Sequence, residues 1–274
     1  MHAPGNTRAR RLWLPLAGAA LAVAAVCAVA VLRPWGASEP VAPAAVAEGE
    51  AAVAASVPPA PLVLEDDARV LVFGDSWVYG SAANVPTLGF AYLLADELGV
   101  ETVVDGVRGS GYLKPGLDGP AYGERIGGLD PALDPDLIIV EGSINDRKLY
   151  PAGYRDAVTA AWDALEARYP DAEIVILGPS PQVLPVQDAT RRIDADLSEL
   201  AGARGWWYIS PIRDDWITDA NYRDVIDTGP IGRDHPSTNG HAYLADRVAT
   251  AIERMEQQPA IVADAPLDDT PPAP

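Results

Sequence analysis

Three side chains that together could transfer an acyl group each lie next to a predicted strand or helix end. Ser76 follows the apolar run Val70–Phe73 in a Gly-Asp-Ser turn. Asn145 follows another apolar run, and His235 precedes the last predicted helix. A serine becomes a nucleophile when a histidine takes its proton, and amide donors stabilise the oxyanion that forms. A glycine-rich segment, 106–112, could add a backbone donor, so the pattern indicates acyl-transfer chemistry.

Alternating strands and helices must bring these residues together. The predicted strands are Val70–Phe73, Glu101–Asp105, Leu137–Val140, Glu173–Leu177 and Trp207–Ile209. The predicted helices are Thr87–Leu98, Tyr154–Tyr169, Val186–Arg204 and His241–Met255. Continuous apolar strands separated by helices predict a parallel sheet that is covered on both faces. The expected fold is therefore a three-layer α/β/α, doubly wound, flavodoxin-like sheet of five strands, whose post-strand segments converge on one crevice.

Four segments in order resemble the conserved blocks of the SGNH (GDSL-like) hydrolase family. They are Gly74-Asp75-Ser76, the glycine after the second strand, Gly142-x-x-Asn145-Asp146 and His235-Pro236. The resemblance implies an α/β/α ester hydrolase that needs no cofactor or metal. It implies Ser76 as the nucleophile and His235 as the general base. It also implies an oxyanion hole made by the N–H groups of Ser76 and Gly109 with the Asn145 side chain. Gly111 and Gly106 are alternatives to Gly109, and Asn145 could instead cap a helix.

The chain departs from the family pattern at the residue that orients the catalytic histidine. The family usually has an aspartate three residues before that histidine, and this chain has Gly232 there. Asp234 is the predicted acid, provided that a local turn lets it reach the ring of His235. The Gly232 carbonyl could accept the imidazole N–H instead, which leaves a Ser–His dyad, and Asp224 or Asp227 are further alternatives. Some acceptor is needed because it sets the tautomer.

The departure also keeps other functions open beside a serine esterase. An acyltransferase would use the same residues and a different acceptor hydroxyl. A binding module that kept the fold without efficient chemistry is a third hypothesis, because the usual aspartate is missing at position 232. The expected substrate is an acyl ester of a small molecule or glycan, including a cell-envelope polysaccharide, or a lipid.

Residues 1–33 are predicted to form a cytoplasmic basic start and a transmembrane anchor. Leu12 to Leu32 carry no charge, and a run of this length can cross a bilayer as a helix. The preceding arginines favour an N-terminus inside the cell. A cleaved signal peptide is the alternative, since Ala28-Val29-Ala30 resembles a cleavage site. The remaining domain is expected outside the cytoplasmic membrane, anchored or secreted.

Composition divides the rest of the chain and limits its partners. An Ala/Pro-rich linker is predicted over 34–68, the hydrolase-like domain over 69–256, and a disordered acidic, proline-containing tail over 257–274. The net charge of −19 argues against nucleic acid and anionic membrane surfaces as ligands. The single cysteine, Cys27, excludes an intrachain disulfide and a cysteine-based zinc site.

Several other residues near these motifs have two interpretations. Arg108 and Arg147 are either ordinary surface charge or contacts for an anionic substrate. His241, at the start of the last helix, is expected to pack or cap there rather than to act as the base. Trp206, Trp207 and Trp216 are expected to pack in the core, although aromatic rings could also form a substrate platform.

Overall fold

The centre of the molecule is a five-stranded parallel sheet. The computed structural model describes residues 59–65 and 67–258. The strands of the sheet are β1 (Arg69–Gly74), β2 (Glu101–Gly106), β3 (Leu137–Glu141), β4 (Glu173–Leu177) and β5 (Trp207–Ile209). Their order is β2-β1-β3-β4-β5, and every neighbouring pair is parallel. The predicted doubly wound, flavodoxin-like sheet is confirmed.

The strand order places the predicted site at the point where the winding reverses. The chain goes from β1 to β2 on one side and then crosses to β3 on the other side of β1. In open α/β sheets, the crevice between the carboxyl ends of two such strands is where ligands bind. Ser76 follows β1 and Asn145 follows β3, so the topology brings both residues to this crevice.

Helices cover both faces of the sheet, as the three-layer prediction requires. In chain order they are α1 (Ser76–Tyr79), α2 (Phe90–Leu98), α3 (Tyr122–Gly128), α4 (Tyr154–Arg168), α5 (Asp188–Ala203), α6 (Tyr222–Val225) and α7 (Thr238–Glu256). Short 3₁₀ turns span Pro86–Leu88, Pro131–Leu133 and Ile144–Lys148.

The central strands are apolar throughout because both of their faces are buried. Val70 and Val72 of β1 pack in one cluster with residues of α2 and α7. Leu71 and Phe73, which point the other way, pack in a second cluster with α3, α4 and α5. A strand between two helical layers therefore has no alternating pattern, which is the pattern seen in the sequence.

The last helix, α7, begins at a side-chain cap and packs through one apolar face. The Ser237 hydroxyl accepts a hydrogen bond from the Gly240 N–H at 3.0 Å. Leu244, Val248 and Ile252, spaced by four residues, are buried in the core. Just before the cap, β7 (His235–Pro236) pairs antiparallel with β6 (Ile226–Asp227). His235 is thus fixed between a strand pair and a capped helix.

The predicted helix Thr87–Leu98 is interrupted at Gly89. A 3₁₀ turn spans Pro86–Leu88, and α2 begins only at Phe90. A Cβ at Gly89 would lie 2.6 Å from the Gly80 Cα, so two backbone segments approach too closely for a side chain. Apolar spacing alone does not reveal such a contact.

The end of the predicted linker packs on the domain. Leu62 is only 2% exposed, and its N–H donates to the Met255 carbonyl at 3.2 Å. The Trp207 indole N–H donates to the Ala60 carbonyl at 3.0 Å. The folded domain therefore begins before Arg69. Burial of the apolar Leu62 side chain stabilises the packing of this segment on the domain.

The predicted anchor, most of the linker and most of the tail lie outside the described residues. Within residues 59–65 and 67–258, no helix is long and apolar enough to cross a membrane.

Candidate active site

Ser76 is the first residue of α1, directly after the turn that ends β1. The Asp75 carboxylate caps this helix and accepts from the Trp77 N–H at 2.9 Å. A Cβ at Gly74 would lie 2.6 Å from Val78 Cγ2, so the turn requires a glycine there. The Ser76 N–H, in the first turn of a helix, has no intrahelical acceptor, and no other described residue accepts from it.

The His235 ring lies between Ser76 and a backbone carbonyl. Its Nε2 is 2.9 Å from Ser76 Oγ, and its Nδ1 is 2.8 Å from the Gly232 carbonyl oxygen. Because a carbonyl can only accept, the ring proton lies on Nδ1. Nε2 then has its lone pair facing the serine hydroxyl, which is the tautomer that a general base needs.

The carboxylate of Asp234 does not orient the ring in this geometry. Arg233 and Asp234 both have left-handed backbone conformations, with φ of +47° and +63°. These two residues reverse the chain, and the reversal brings the Gly232 carbonyl to the imidazole. No hydrogen bond joins Asp234 to His235 in the described part of the chain, so the expected Asp234 contact is corrected to the carbonyl alternative.

Asp227 occupies the space that a side chain at position 232 would need. It is the cross-strand partner of His235, and a Cβ at Gly232 would collide with its side chain. Its Oδ1 accepts from the Gly229 N–H at 2.8 Å. Directly opposed side chains in an antiparallel pair lie on the same face. Asp227 therefore lies beside the histidine, whereas Asp224 is exposed and its carbonyl bonds Ser237.

Gly109 lines the same cavity as Ser76 and His235. Its φ is +74°, a left-handed conformation in which glycine has no steric penalty. Its carbonyl accepts from Lys114 Nζ at 3.0 Å, and no described residue accepts from its N–H. The Gly111 N–H, in contrast, donates to the Lys114 carbonyl at 2.8 Å. Of the candidate glycines, Gly109 has the free donor in the cavity lining.

The Asn145 side chain is anchored by two protein acceptors. Its Nδ2 lies 2.7 Å from Asp75 Oδ2 and 2.9 Å from the Ser110 carbonyl. The helix cap at this turn is Ser143, whose hydroxyl accepts from the Asn145 N–H at 2.9 Å. The Ser143 hydroxyl also lies 2.7 Å from the Ser110 carbonyl. The Ser110 carbonyl therefore faces two donors, Asn145 Nδ2 and the Ser143 hydroxyl.

Two buried carboxyl groups lie beneath the nucleophile. Asp75 and Glu141 are 0% and 4% exposed, and the Asp75 N–H is 3.3 Å from Glu141 Oε2. Burial raises the pKa of both groups, and the neighbouring Asp75 charge raises the pKa of Glu141 further. Ionisation of both side by side is costly, so the pKa of Glu141 lies well above its ordinary value. The sequence analysis did not single out Glu141.

Asp146 holds the loop that presents Gly109. Its Oδ2 accepts from the Tyr112 N–H at 2.7 Å, and its Oδ1 accepts from the N–H groups of Leu113 and Lys114 at 3.1 and 3.0 Å. Burial raises the pKa of Asp146 to about 6, although these three donors favour the charged form. Its position next to Asn145 in the motif was the available signal for this role.

Four of the five predicted site residues line one cavity of about 310 Å³: Ser76, Gly109, Asn145 and His235. Asp234 does not line it. His241 is buried elsewhere, where Nδ1 accepts from the Phe90 N–H at 3.2 Å and Nε2 donates to the Ser81 carbonyl at 3.0 Å. None of the three tryptophans lines the cavity either. Among the described residues there is no cluster of three His, Cys, Asp or Glu side chains that could hold a metal ion.

Comparison with known proteins gives consistent similarities. A sequence model of the GDSL-like lipase/acylhydrolase family matches residues 72–243. A GDSL lipase from Mycobacterium tuberculosis is 28% identical in an alignment of 196 residues, which covers 67% of this chain and 80% of that protein. The structure of an aryl esterase from M. smegmatis is similar with a TM-score of 0.52 and 18% identity, and covers 69% of this chain and 99% of its own. A carbohydrate acetylesterase family member from Sinorhizobium meliloti gives a TM-score of 0.53 at 15% identity, over 70% and 100% of the two chains.

Proposed function

We propose that this chain, which belongs to the GDSL-like lipase/acylhydrolase family and is an ester-bond hydrolase, cleaves acyl esters with Ser76 as the nucleophile. One observation carries the proposal. The Ser76 hydroxyl, the His235 ring and the Gly232 carbonyl form a continuous hydrogen-bonded chain at the wall of a cavity. In this arrangement the base has the required tautomer before any substrate binds.

The reaction starts with proton transfer from Ser76 Oγ to His235 Nε2. The oxygen attacks the ester carbonyl carbon, and the carbonyl oxygen becomes an oxyanion. The imidazolium then gives its proton to the departing alcohol as the C–O bond breaks, which leaves an acyl-serine. A water molecule attacks this intermediate through the same base, the carboxylic acid leaves, and the proton returns to Ser76.

In this proposal, two of the three donors to the oxyanion have no other acceptor. The N–H groups of Ser76 and Gly109 fit this role, since no described residue accepts from either. Asn145 contributes the third donor when its amide exchanges the Ser110 carbonyl for the oxyanion. Such donors act most strongly in the transition state, where the negative charge develops.

The imidazolium needs a negative charge nearby as well as an acceptor. A carbonyl sets the tautomer but carries no net charge. Burial raises the pKa of Asp75, and its electrostatic interaction with His235 opposes this effect, which supports Asp75 as one source of this charge. In this proposal the Gly232 carbonyl sets the tautomer and Asp75 supplies negative charge, two roles that a single aspartate has in the family pattern.

The test of the proposed function uses a serine-reactive fluorophosphonate and a panel of p-nitrophenyl esters of graded chain length. The full chain is expected to be labelled and to turn over short esters. Ser76→Ala should not be labelled, and it should keep only a small residual rate of ester hydrolysis over that in water. Its circular dichroism spectrum should stay unchanged. Ser81→Ala, which removes another hydroxyl from the same cavity, is the matched control. Labelling of Ser76→Ala at the wild-type rate would exclude this nucleophile.

For the location of the enzyme, we propose an extracytoplasmic domain held by residues 1–33, which acts on a small-molecule or glycan acyl ester. The support is the uncharged run from Leu12 to Leu32 after a basic start. Fractionation of cells that express the full chain, with sequencing of the mature N-terminus, tests it. A soluble product that begins near Val31 would show a cleaved signal peptide instead.

A further inference from the structure

The two cavities beside Ser76 are lined by cations. The cavity of about 310 Å³ includes three arginines and no Asp or Glu. An adjoining cavity of about 340 Å³ shares Asn145 and Arg147 with it, adds two lysines, and also has no acidic residue in its lining. The cations are Arg108, Lys114, Arg147, Lys148 and Arg233. In a chain with 20 basic and 39 acidic residues, this lining is opposite in sign to the protein as a whole.

These cations differ in how much of their charge is already compensated. Arg108 pairs with Asp118 at 2.6 Å, and its guanidinium lies over the Tyr79 ring. Lys114 donates to the Gly109 carbonyl at 3.0 Å. Both of these side chains therefore have protein partners, and they are the weaker candidates for a substrate contact.

Arg147 and Arg233 have no carboxylate partner within 4.0 Å among the described residues. Arg147 is half-buried and follows Asn145 by two positions on the same 3₁₀ turn. It is the one cation that both cavities share. Its guanidinium donates to the Ile144 carbonyl at 3.0 Å, which leaves further N–H groups of its fork free.

We infer that the substrate is an anionic ester, whose carboxylate or phosphate group binds Arg147 while the ester carbonyl lies at Ser76. The inference rests on the proposed function and specifies its substrate class. A guanidinium recognises planar carboxylate and tetrahedral phosphate oxygens through paired hydrogen bonds. Arg233 lines one of the two cavities with Arg147, Lys148 lines the other, and both add to the positive potential. A cavity with cations and no acid attracts anions and excludes cationic substrates.

The experiment compares matched esters that differ in charge. The first pair is 4-acetoxybenzoate and its neutral methyl ester, which place the charge on the alcohol side. The second pair is mono-4-nitrophenyl adipate and 4-nitrophenyl hexanoate, which place it on the acyl side. The full chain should prefer the anion in at least one pair. This preference should become smaller when the salt concentration is raised from about 0.05 to about 0.5 M, because salt screens the interaction.

Arg147→Gln should lower kcat/KM for the preferred anionic ester by about 10- to 100-fold. The ratio of kcat/KM for the anionic ester to kcat/KM for its neutral partner should fall with it, and the circular dichroism spectrum of the variant shows whether it is folded. The kcat/KM of Arg147→Lys for the anionic ester should lie between the values of the wild type and of Arg147→Gln, since lysine keeps the charge but not the paired geometry. Arg108→Gln, which removes a cation already paired with Asp118, is the matched control.

A second readout separates this inference from the proposed chemistry. Calorimetry should show binding of the preferred anionic ester to Ser76→Ala and much weaker binding to the Ser76→Ala, Arg147→Gln double variant. Equal binding to the two, or equal kcat/KM for anionic and neutral esters in the wild type, would overturn the anionic subsite. Absence of turnover on every ester, with arginine-dependent binding retained, would overturn the hydrolase and leave the subsite.

Discussion

His235 Nδ1 lies 2.8 Å from the carbonyl oxygen of Gly232, three residues earlier in the chain. The family pattern has an aspartate side chain at that position, and here the backbone itself is the acceptor. The contact depends on the left-handed turn at Arg233 and Asp234, which folds the chain back under the ring. The base is therefore oriented by a backbone carbonyl and not by a carboxylate.

The first prediction concerns the two aspartates near this turn. Asp234→Asn is expected to change kcat by less than about threefold, because its carboxylate makes no hydrogen bond to His235. Asp227→Asn keeps the volume of the side chain beside Gly232 and removes its charge. Because Asp227 lies beside the histidine, we expect its charge to stabilise the imidazolium, and kcat should fall more in Asp227→Asn than in Asp234→Asn. A loss of about 10⁴ in Asp234→Asn would instead restore the aspartate first predicted from the sequence.

The same geometry makes a prediction for Gly232. Gly232→Asp should lower the free energy of unfolding by about 1–3 kcal/mol, because the new side chain collides with Asp227. Combining it with Asp227→Gly should recover most of this loss, since the second change vacates the space. Thermal denaturation of the two single variants and the double variant measures the coupling. Additive losses would mean that the two side chains do not compete.

Asn145→Ala should lower kcat much more than it raises KM. The expected loss is about 10²–10³ in kcat, because the amide acts when the carbonyl oxygen becomes charged. Steady-state kinetics on p-nitrophenyl acetate measure both constants. Ser143→Ala is a useful comparison, because it removes the second donor to the Ser110 carbonyl and should hold Asn145 more firmly in its resting bonds. An unchanged kcat in Asn145→Ala would assign that residue to structure alone.

His241 should make stability depend on pH in the acidic range. Burial lowers its pKa to about 4 from an ordinary value of 6.5, although the hydrogen bond to the Ser81 carbonyl favours the charged ring. The unfolded state binds a proton first, so stability is present above pH 6.5 and is lost as the pH falls toward 4. The loss is of order 3 kcal/mol, at about 1.4 kcal/mol for each pKa unit. Comparing urea unfolding of wild type and His241→Gln isolates it, since glutamine keeps a donor and an acceptor without titrating. Parallel curves would contradict this assignment.

Asp146→Asn should destabilise the loop that carries Gly109. An amide offers one oxygen to three N–H donors and turns its NH₂ toward the others, at a cost of about 1–3 kcal/mol. The measurement is best made near pH 8, above the pKa of about 6, where the wild-type group is ionised. Hydrogen exchange at Tyr112 and Lys114 should accelerate in the variant. Asp118→Asn, on an exposed aspartate nearby, serves as the control. Equal exchange in both variants would contradict the role of Asp146 in holding this loop.

The sequence by itself determined the sheet and the residues delivered to its edge. Five apolar runs, separated by helices, were enough for the parallel fold, because a strand buried on both faces must be apolar throughout. Chain order then placed Ser76 and Asn145 at one crevice, since segments that follow parallel strands share one edge of the sheet.

Tertiary structure alone decided what surrounds those residues. The acceptor on His235 depends on two left-handed residues and on a strand pair of two residues each, which have no readable period. The same holds for four further features, each of which depends on contacts between separate segments: the break at Gly89, the loop bonds of Asp146, the position of Glu141 and the cationic lining. Their positions follow from packing and backbone approach between such segments, and local propensity and spacing carry no information about either.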